Sequence, residues 1–112
     1  MQLRYKSKAT LKKALLVKQA NGVKVESYSV VAPFENYTIF KQELNDEISA
    51  SIYGADINSM LRISTIKSKL ETFLKQKVNN SSDNISKYYI FIGNIKYRIK
   101  SVKKNWIDIR EI

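Results

Sequence analysis

Residues Lys87–Ile112, KYYIFIGNIKYRIKSVKKNWIDIREI, decide the fold class. Tyr88 to Ile92 is β-branched and aromatic throughout, a composition that suits a pleated, half-buried strand. Gly93-Asn94 follows as a two-residue turn that tolerates positive φ, the kind that joins the strands of a hairpin. Ile95, Tyr97 and Ile99 then alternate with Lys96, Arg98 and Lys100, which sets an apolar row on one face and a cationic row on the other. Lys103-Lys104-Asn105 makes a second turn, and Trp106 to Ile112 returns with Ile107 and Ile109 on one face. The stretch reads as a three-stranded antiparallel meander. It is too small to be stable alone, so the preceding residues must supply the strands that close it into a sandwich or barrel.

Working back from the meander, residues 79–86 (NNSSDNIS) form a polar loop. Ser64 to Val78 changes period. Ile66, Leu70, Phe73, Leu74 and Lys77 fall at helical spacing, and Ser68 with Glu71 three residues later has the form of a capping box. One amphipathic helix is expected here, with Lys67, Lys69, Lys75 and Lys77 mostly on its polar side. A helix of this kind more often covers an open barrel end than reads DNA.

At the other terminus, Gln2 to Thr10 is polar and cationic, and residues 1–10 read as a mobile arm or a first edge strand. Leu11 to Gln19 suits a helix through Leu11, Leu15 and Leu16, and a strand through Ala14, Leu16 and Lys18. Ala20-Asn21-Gly22 decides for a hairpin, with strands at about 11–19 and 23–32. Pro33 ends the second, because a proline has no amide to offer a central strand. Phe34 to Leu44 reads as a further strand led by Tyr37, Ile39 and Phe40. Ile48 to Tyr53 has strand alternation and stops at Gly54; Met60 to Ile63 is a short apolar piece containing Arg62. The expectation is one domain over residues 1–112, mainly β, a small antiparallel barrel or sandwich of about five to seven strands with one amphipathic helix.

An apolar content of 44% is ordinary for a globular chain and argues against disorder. The sequence holds no cysteine and no histidine, which removes disulfides, thiolate and imidazole metal sites, and the nucleophilic triads that need a histidine base. The glycines stand singly at turns, so no glycine-rich phosphate loop is present. Glu43, Asp46, Glu47 and Asp56 lack the spacing of a calcium loop. No catalytic residues, metal or cofactor are expected, and the chain is not read as an enzyme. No stretch approaches the about 18 apolar residues of a membrane span, so a soluble protein made and used in a cytoplasm is expected, with no membrane partner.

The net charge of +10 is unevenly spread. Residues 1–25 hold seven bases and no acid, residues 26–56 six acids and one base, and residues 57–112 twelve bases and four acids. A generic solubilising surface is one explanation. A nucleic-acid partner is another, and an acidic patch on one copy meeting a basic patch on the next is a third. For nucleic acid, the basic face Lys96, Arg98 and Lys100 is placed to lie near Tyr89, Phe91 and Trp106, the interleaving that single-strand binders on small barrels use. Aromatics on short strands are more often core, and no RNP-like motif is present. Contact with phosphate, without base reading, fits these residues better.

Three segments taken in order, Val30–Ile63, Leu70–Tyr88 and Ile95–Ile109, resemble the head-closure (head-completion, or stopper) proteins of long-tailed double-stranded DNA phages of Gram-positive bacteria. The best-marked pieces are Asp46-Glu47 leading into Ile52-Tyr53-Gly54-Ala55-Asp56, then Met60-Leu61-Arg62-Ile63, then Tyr97-Arg98-Ile99. The resemblance is one of pattern over most of the chain from Val30 onward, and the insert Ser64–Val78 departs from shorter relatives. It implies a small β-barrel in a homo-oligomeric ring, a dodecamer, at the virion neck, assembled in the host cytoplasm. The ring would retain packaged double-stranded DNA by non-specific phosphate contact, with the portal-adaptor protein above and the tail terminator or tail tube below. Under that resemblance Lys67, Lys69, Lys75 and Lys77 are the candidate channel-facing residues, with the loop around Phe34–Asp46 as another candidate plug. Glu43, Asp46, Glu47 and Asp56 are the candidate acidic patch at the subunit interface. A tail-terminator or adaptor subunit, and a stand-alone nucleic-acid-binding β-barrel, remain as alternatives.

Overall fold

The computed structural model describes residues 5–18, 20–43 and 60–112. Among them, strands β1 (Tyr5–Lys18), β2 (Lys24–Val30), β3 (Tyr37–Glu43) and β4 (Met60–Ser64) precede helix α1 (Lys69–Lys75). Strands β5 (Tyr88–Ile92), β6 (Ile95–Val102) and β7 (Ile107–Glu111) follow it. Hydrogen-bonded neighbours run β2-β1-β3-β4-β7-β6-β5, and β5 pairs back onto β1. Six antiparallel strands therefore close a barrel, with β2 as one extra strand and α1 as the one α-helix among the described residues. The expected mainly-β architecture is present, and it is a barrel.

Closure depends on β1. One of its edges carries β3 along Tyr5–Ala9 and then β2 along Lys12–Lys18; the other carries β5 along Thr10–Lys13. β2 and β3 thus lie end to end on one edge. Between them the Leu11 amide donates to the Phe34 carbonyl (2.8 Å) and the Val31 amide to the Leu11 carbonyl (2.9 Å), around a cis Ala32-Pro33 bond. Of the two expectations for residues 1–10, the strand is the one described from Tyr5 onward, and residues 1–4 lie outside the described residues. Among the described side chains of β1, Ala9 and Leu11, 4% and 1% exposed, are the strongly buried apolar ones. Lys6, Lys8 and Lys12 on the outer row, with Ser7 and Ala9 on the inner row, give little hydrophobic signal.

Leu11, Ile39, Ile63, Ile90, Ile107 and Ile109 fill the barrel, each at most 1% exposed. Tyr97 joins this core, whereas Ile95, expected on the same apolar row, is exposed at the hairpin turn. Leu70 and Leu74 of α1 complete the cluster, and the Phe73 ring packs on Phe34 and Tyr88. The helix therefore covers an end of the barrel.

α1 is much shorter than the helical period of Ser64–Val78 implies, and its cap is a different residue. Lys67 and Ser68 both take left-handed φ (56° and 51°), which breaks the first turn, and Ser68 makes no side-chain cap bond. Thr65 serves instead. Its Oγ1 accepts from the Leu70 amide (3.1 Å) and donates to Glu71 Oε1 (2.7 Å), while its own amide donates to Glu71 Oε2 (3.4 Å). Glu71 is fully buried, so this reciprocal bonding is what makes its burial tolerable.

The molecule measures 53 × 31 × 28 Å with a radius of gyration of 14.8 Å. A compact chain of this length would give about 13 Å. The excess fits the ribbon formed by β1 and β2, which continues past the last β1–β5 register pair, Lys13↔Tyr88.

Candidate functional site

Strand alternation sorts the residues of β5 and β6. Tyr88 and Ile90 point into the barrel, so Tyr89 and Phe91 point out; Tyr97 points in, so Lys96 and Arg98 point out. The register sets Tyr89 opposite Arg98 and Phe91 opposite Lys96. On the other side β1 sets Lys12 opposite Tyr89. β2, β1, β5 and β6 are thus four consecutive strands with one shared outer face, cationic and aromatic by turns.

Tyr28 on β2 organises that face. It stands opposite Ala14, whose small side chain leaves room for a ring. The Tyr28 ring meets Tyr89 and Phe91 edge-on, with centroids 5.7 and 5.4 Å away. Lys96 Nζ donates to the Tyr28 hydroxyl at 2.7 Å and lies 5.1 and 5.2 Å from the Tyr28 and Tyr89 ring centroids. Lys12 Nζ sits 4.5 Å from the Phe91 centroid. The hydroxyl, accepting from the ammonium, raises the Lys96 pKa above its ordinary value against the opposing effect of burial. Arg98 and Lys100 are exposed beside this cluster. The rings are engaged with one another and the cations sit above and around them. Such a face offers positive charge and N–H donors to phosphate oxygens; it offers no preformed slot for a base.

The sequence singled out Lys96, Arg98 and Lys100; Lys96 and Arg98 share the face with Tyr89 and Phe91, and Lys100 is exposed at a bulge between Ile99 and Ser101. Trp106 does not. It lies with Arg62, whose guanidinium is 4.8 Å from the indole centroid and which pairs through two nitrogens with buried Asp108 (2.8 and 3.3 Å). Arg62 and Asp108 face one another directly across β4 and β7. A cleft of about 360 Å³ opens there, lined by Phe40, Gln42, Arg62, Ser64, Asn105 and Trp106. Sequence reasoning missed Lys12 and Tyr28. Their neighbours on the face come from β5 and β6, and that pairing carries no local signal.

The four candidate lysines of the helical segment do not form one row. Lys67, Lys69 and Lys75 are exposed around α1. Lys77 is drawn in, its Nζ 2.6 Å from Asp83 Oδ2 and 5.2 Å from the Phe73 centroid. Asp83 also pairs with Lys13 (2.7 Å) and accepts from the Tyr88 hydroxyl at 2.8 and 2.9 Å. Those donors, Lys13 first, hold the Asp83 carboxyl well below its usual range, and burial with the Asp83 charge pushes the Tyr88 phenol up to about 12. The constellation ties β1, the loop after α1 and β5 together at one barrel end, so Lys77 and Lys13 are committed to structure.

Of the candidate acidic patch, Glu43 ends β3 opposite Leu61, and Asp46, Glu47 and Asp56 lie outside the described residues, as does the expected strand Ile48–Tyr53. Among the described residues no group of three His, Cys, Asp or Glu could hold a metal ion, and no helix is long and apolar enough to cross a membrane. Comparison with protein-family models, with curated proteins and with solved structures finds no match.

Proposed function

We propose that this chain is a structural subunit of the phage head–tail connector, a ring-forming protein that closes the filled head and receives the tail. The observation that carries this is a closed barrel whose outer wall is cationic at Lys12, Lys96 and Arg98 and from which a two-stranded ribbon projects. A closed barrel has few free edges and makes a rigid ring segment, and a projecting ribbon gives such a segment reach toward a neighbour. The sequence resemblance supplies the setting: a dodecameric ring between portal-adaptor and tail terminator, in contact with packaged double-stranded DNA through phosphate. Lys67, Lys69 and Lys75 remain candidates to face that DNA, and the outer sheet face is the other.

Electron microscopy of lysates from the parent phage with this gene disrupted tests the proposal. Filled or emptied heads beside complete, unattached tails are expected. Heads bearing malformed or overlong tails would point to a tail terminator, and normal virions would sink the connector role altogether.

A second function, a stand-alone nucleic-acid-binding barrel, is favoured by one observation, the clustering of Lys12, Lys96 and Arg98 with Tyr28, Tyr89 and Phe91 on a single face. A salt titration of binding by the isolated monomer separates the two. Tight binding that falls steeply with salt supports the stand-alone function; a connector subunit binds free DNA weakly until the ring concentrates its charge.

A further inference from the structure

We infer that Asn21, at the tip of the β1–β2 ribbon, is a self-modifying site. In the native chain its carboxamide is converted to a carboxylate through a cyclic imide formed with the Gly22 amide.

Ala20 to Val23 is exposed throughout and links the two strands beyond their last register pair, Lys18↔Lys24. Asn21 Oδ1 accepts from the Val23 amide at 3.0 Å. That bond turns the carboxamide back along its own chain and polarises the carbonyl a nucleophile must attack. The nucleophile is the Gly22 nitrogen, the next one along the backbone. Gly22 has no side chain to crowd it, and nothing comes within 4 Å of where a Cβ would stand. The reacting atoms are therefore open to solvent.

The step balances. Solvent hydroxide takes the Gly22 amide proton, the Gly22 nitrogen bonds to Asn21 Cγ, and negative charge gathers on Oδ1, which already accepts from the Val23 N–H. The Cγ–Nδ2 bond then breaks, and Nδ2 leaves as ammonia with a proton taken from water. Water next opens the imide at either carbonyl. One opening gives aspartate, and the other gives isoaspartate, whose backbone runs through the β-carbon. Both products place a negative charge at a tip flanked in sequence by Lys18 and Lys24. The isoaspartate also lengthens the turn that sets the strand register.

Two other asparagines supply the comparison. Asn80 Oδ1 accepts from the Ser82 amide at 3.1 Å, and Asn84 Oδ1 from the Ser86 amide at 3.0 Å, the same contact two residues on. Their next residues are Ser81 and Ile85, whose side chains crowd the attacking nitrogen. Asn21 is the one asparagine of the sequence that precedes a glycine.

The test incubates the intact, folded chain at mildly alkaline pH and samples it over weeks. Digestion and mass spectrometry then follow each asparagine, with electron-transfer fragmentation to tell aspartate from isoaspartate. Asn21 is expected to convert first, at least about tenfold faster than Asn80 and Asn84. Asn21→Gln is expected to abolish conversion in that peptide. The same incubation in concentrated urea reads what the turn contributes. The folded rate at Asn21 is expected to lie no more than about tenfold below the unfolded rate, because the Val23 donor offsets the lost chain freedom. Asn80 or Asn84 converting within about tenfold of Asn21 would overturn the inference, as would a larger drop on folding.

Discussion

Lys96 Nζ lies 2.7 Å from the Tyr28 hydroxyl, joining β6 to β2 across the two strands between them. The bond fastens the root of the ribbon to the barrel wall, and the Tyr28 ring packs edge-on against Tyr89 and Phe91. Tyr28→Phe keeps the ring and removes the hydroxyl, so a cost of about 1 kcal/mol is expected. Tyr28→Ala removes the ring as well, and about 2 kcal/mol is expected for a half-buried aromatic with two ring partners. Urea unfolding measures both, and amide exchange in β2 should accelerate in the Ala variant before the barrel amides respond.

Thr65, not Ser68, caps α1. Thr65→Ala leaves the Leu70 amide and the buried Glu71 carboxylate short of partners, and a destabilisation of about 2 kcal/mol is expected. Ser68→Ala is expected to change stability by less than about 0.5 kcal/mol. Equal effects of the two substitutions in denaturant unfolding would refute Thr65 as the cap.

The Asp83 constellation predicts the pH profile. The folded-state pKa of Asp83 is depressed, so its stabilising contribution is present above the unfolded value near pH 4 and is lost as pH falls toward the folded value. Tyr88 is raised from 10.0 to about 12, so its contribution is present below about pH 10 and disappears as pH climbs through that interval. Melting temperature against pH should show both limbs. In Asp83→Asn the acid limb should flatten, and an unchanged acid limb would assign acid lability to other carboxylates.

DNA binding by the outer sheet face can be separated from DNA binding by α1. Removing one cation that neutralises a phosphate should lower the slope of log affinity against log salt by about 0.9 for duplex DNA. Lys12→Gln with Arg98→Gln should flatten that slope, and Lys69→Gln with Lys75→Gln should leave it alone if the sheet face holds the DNA. The reverse result would move the DNA to the helix.

Local pattern made the meander legible: Tyr88–Ile92, the Gly93-Asn94 turn and the alternation from Ile95 are all where strand period puts them. The same holds for the hairpin at Ala20-Asn21-Gly22 and for the outward positions Lys96 and Arg98. Legibility failed where the deciding partner is distant. Ser68 with Glu71 has the spacing of a capping box, but two left-handed residues shift the work to Thr65. Lys77 follows the polar side of a helical pattern, yet Asp83, reached by the chain turning back after α1, pulls it in. Trp106 is close to β6 along the chain, but the cross-strand pair Arg62–Asp108 holds the guanidinium over its ring on another wall. Tyr28 and Lys12 belong to the candidate site only through barrel closure, which no short-range periodicity encodes.

That closure also governs how the protein is born. β1 meets β2 and β3 soon after they are synthesised, but its second edge waits for Tyr88–Phe91 near the far end of the chain. At ribosomal speeds of about 5–20 residues per second the interval lasts several seconds. Throughout it, Thr10–Lys13 presents an unsatisfied edge, and on crowded polysomes the nearest strands of matching sequence belong to sister chains. A truncated product ending before β5 is therefore not an inert fragment. It is expected to keep that edge open to other strands, because the edge is covered from within the chain only once β5 is made.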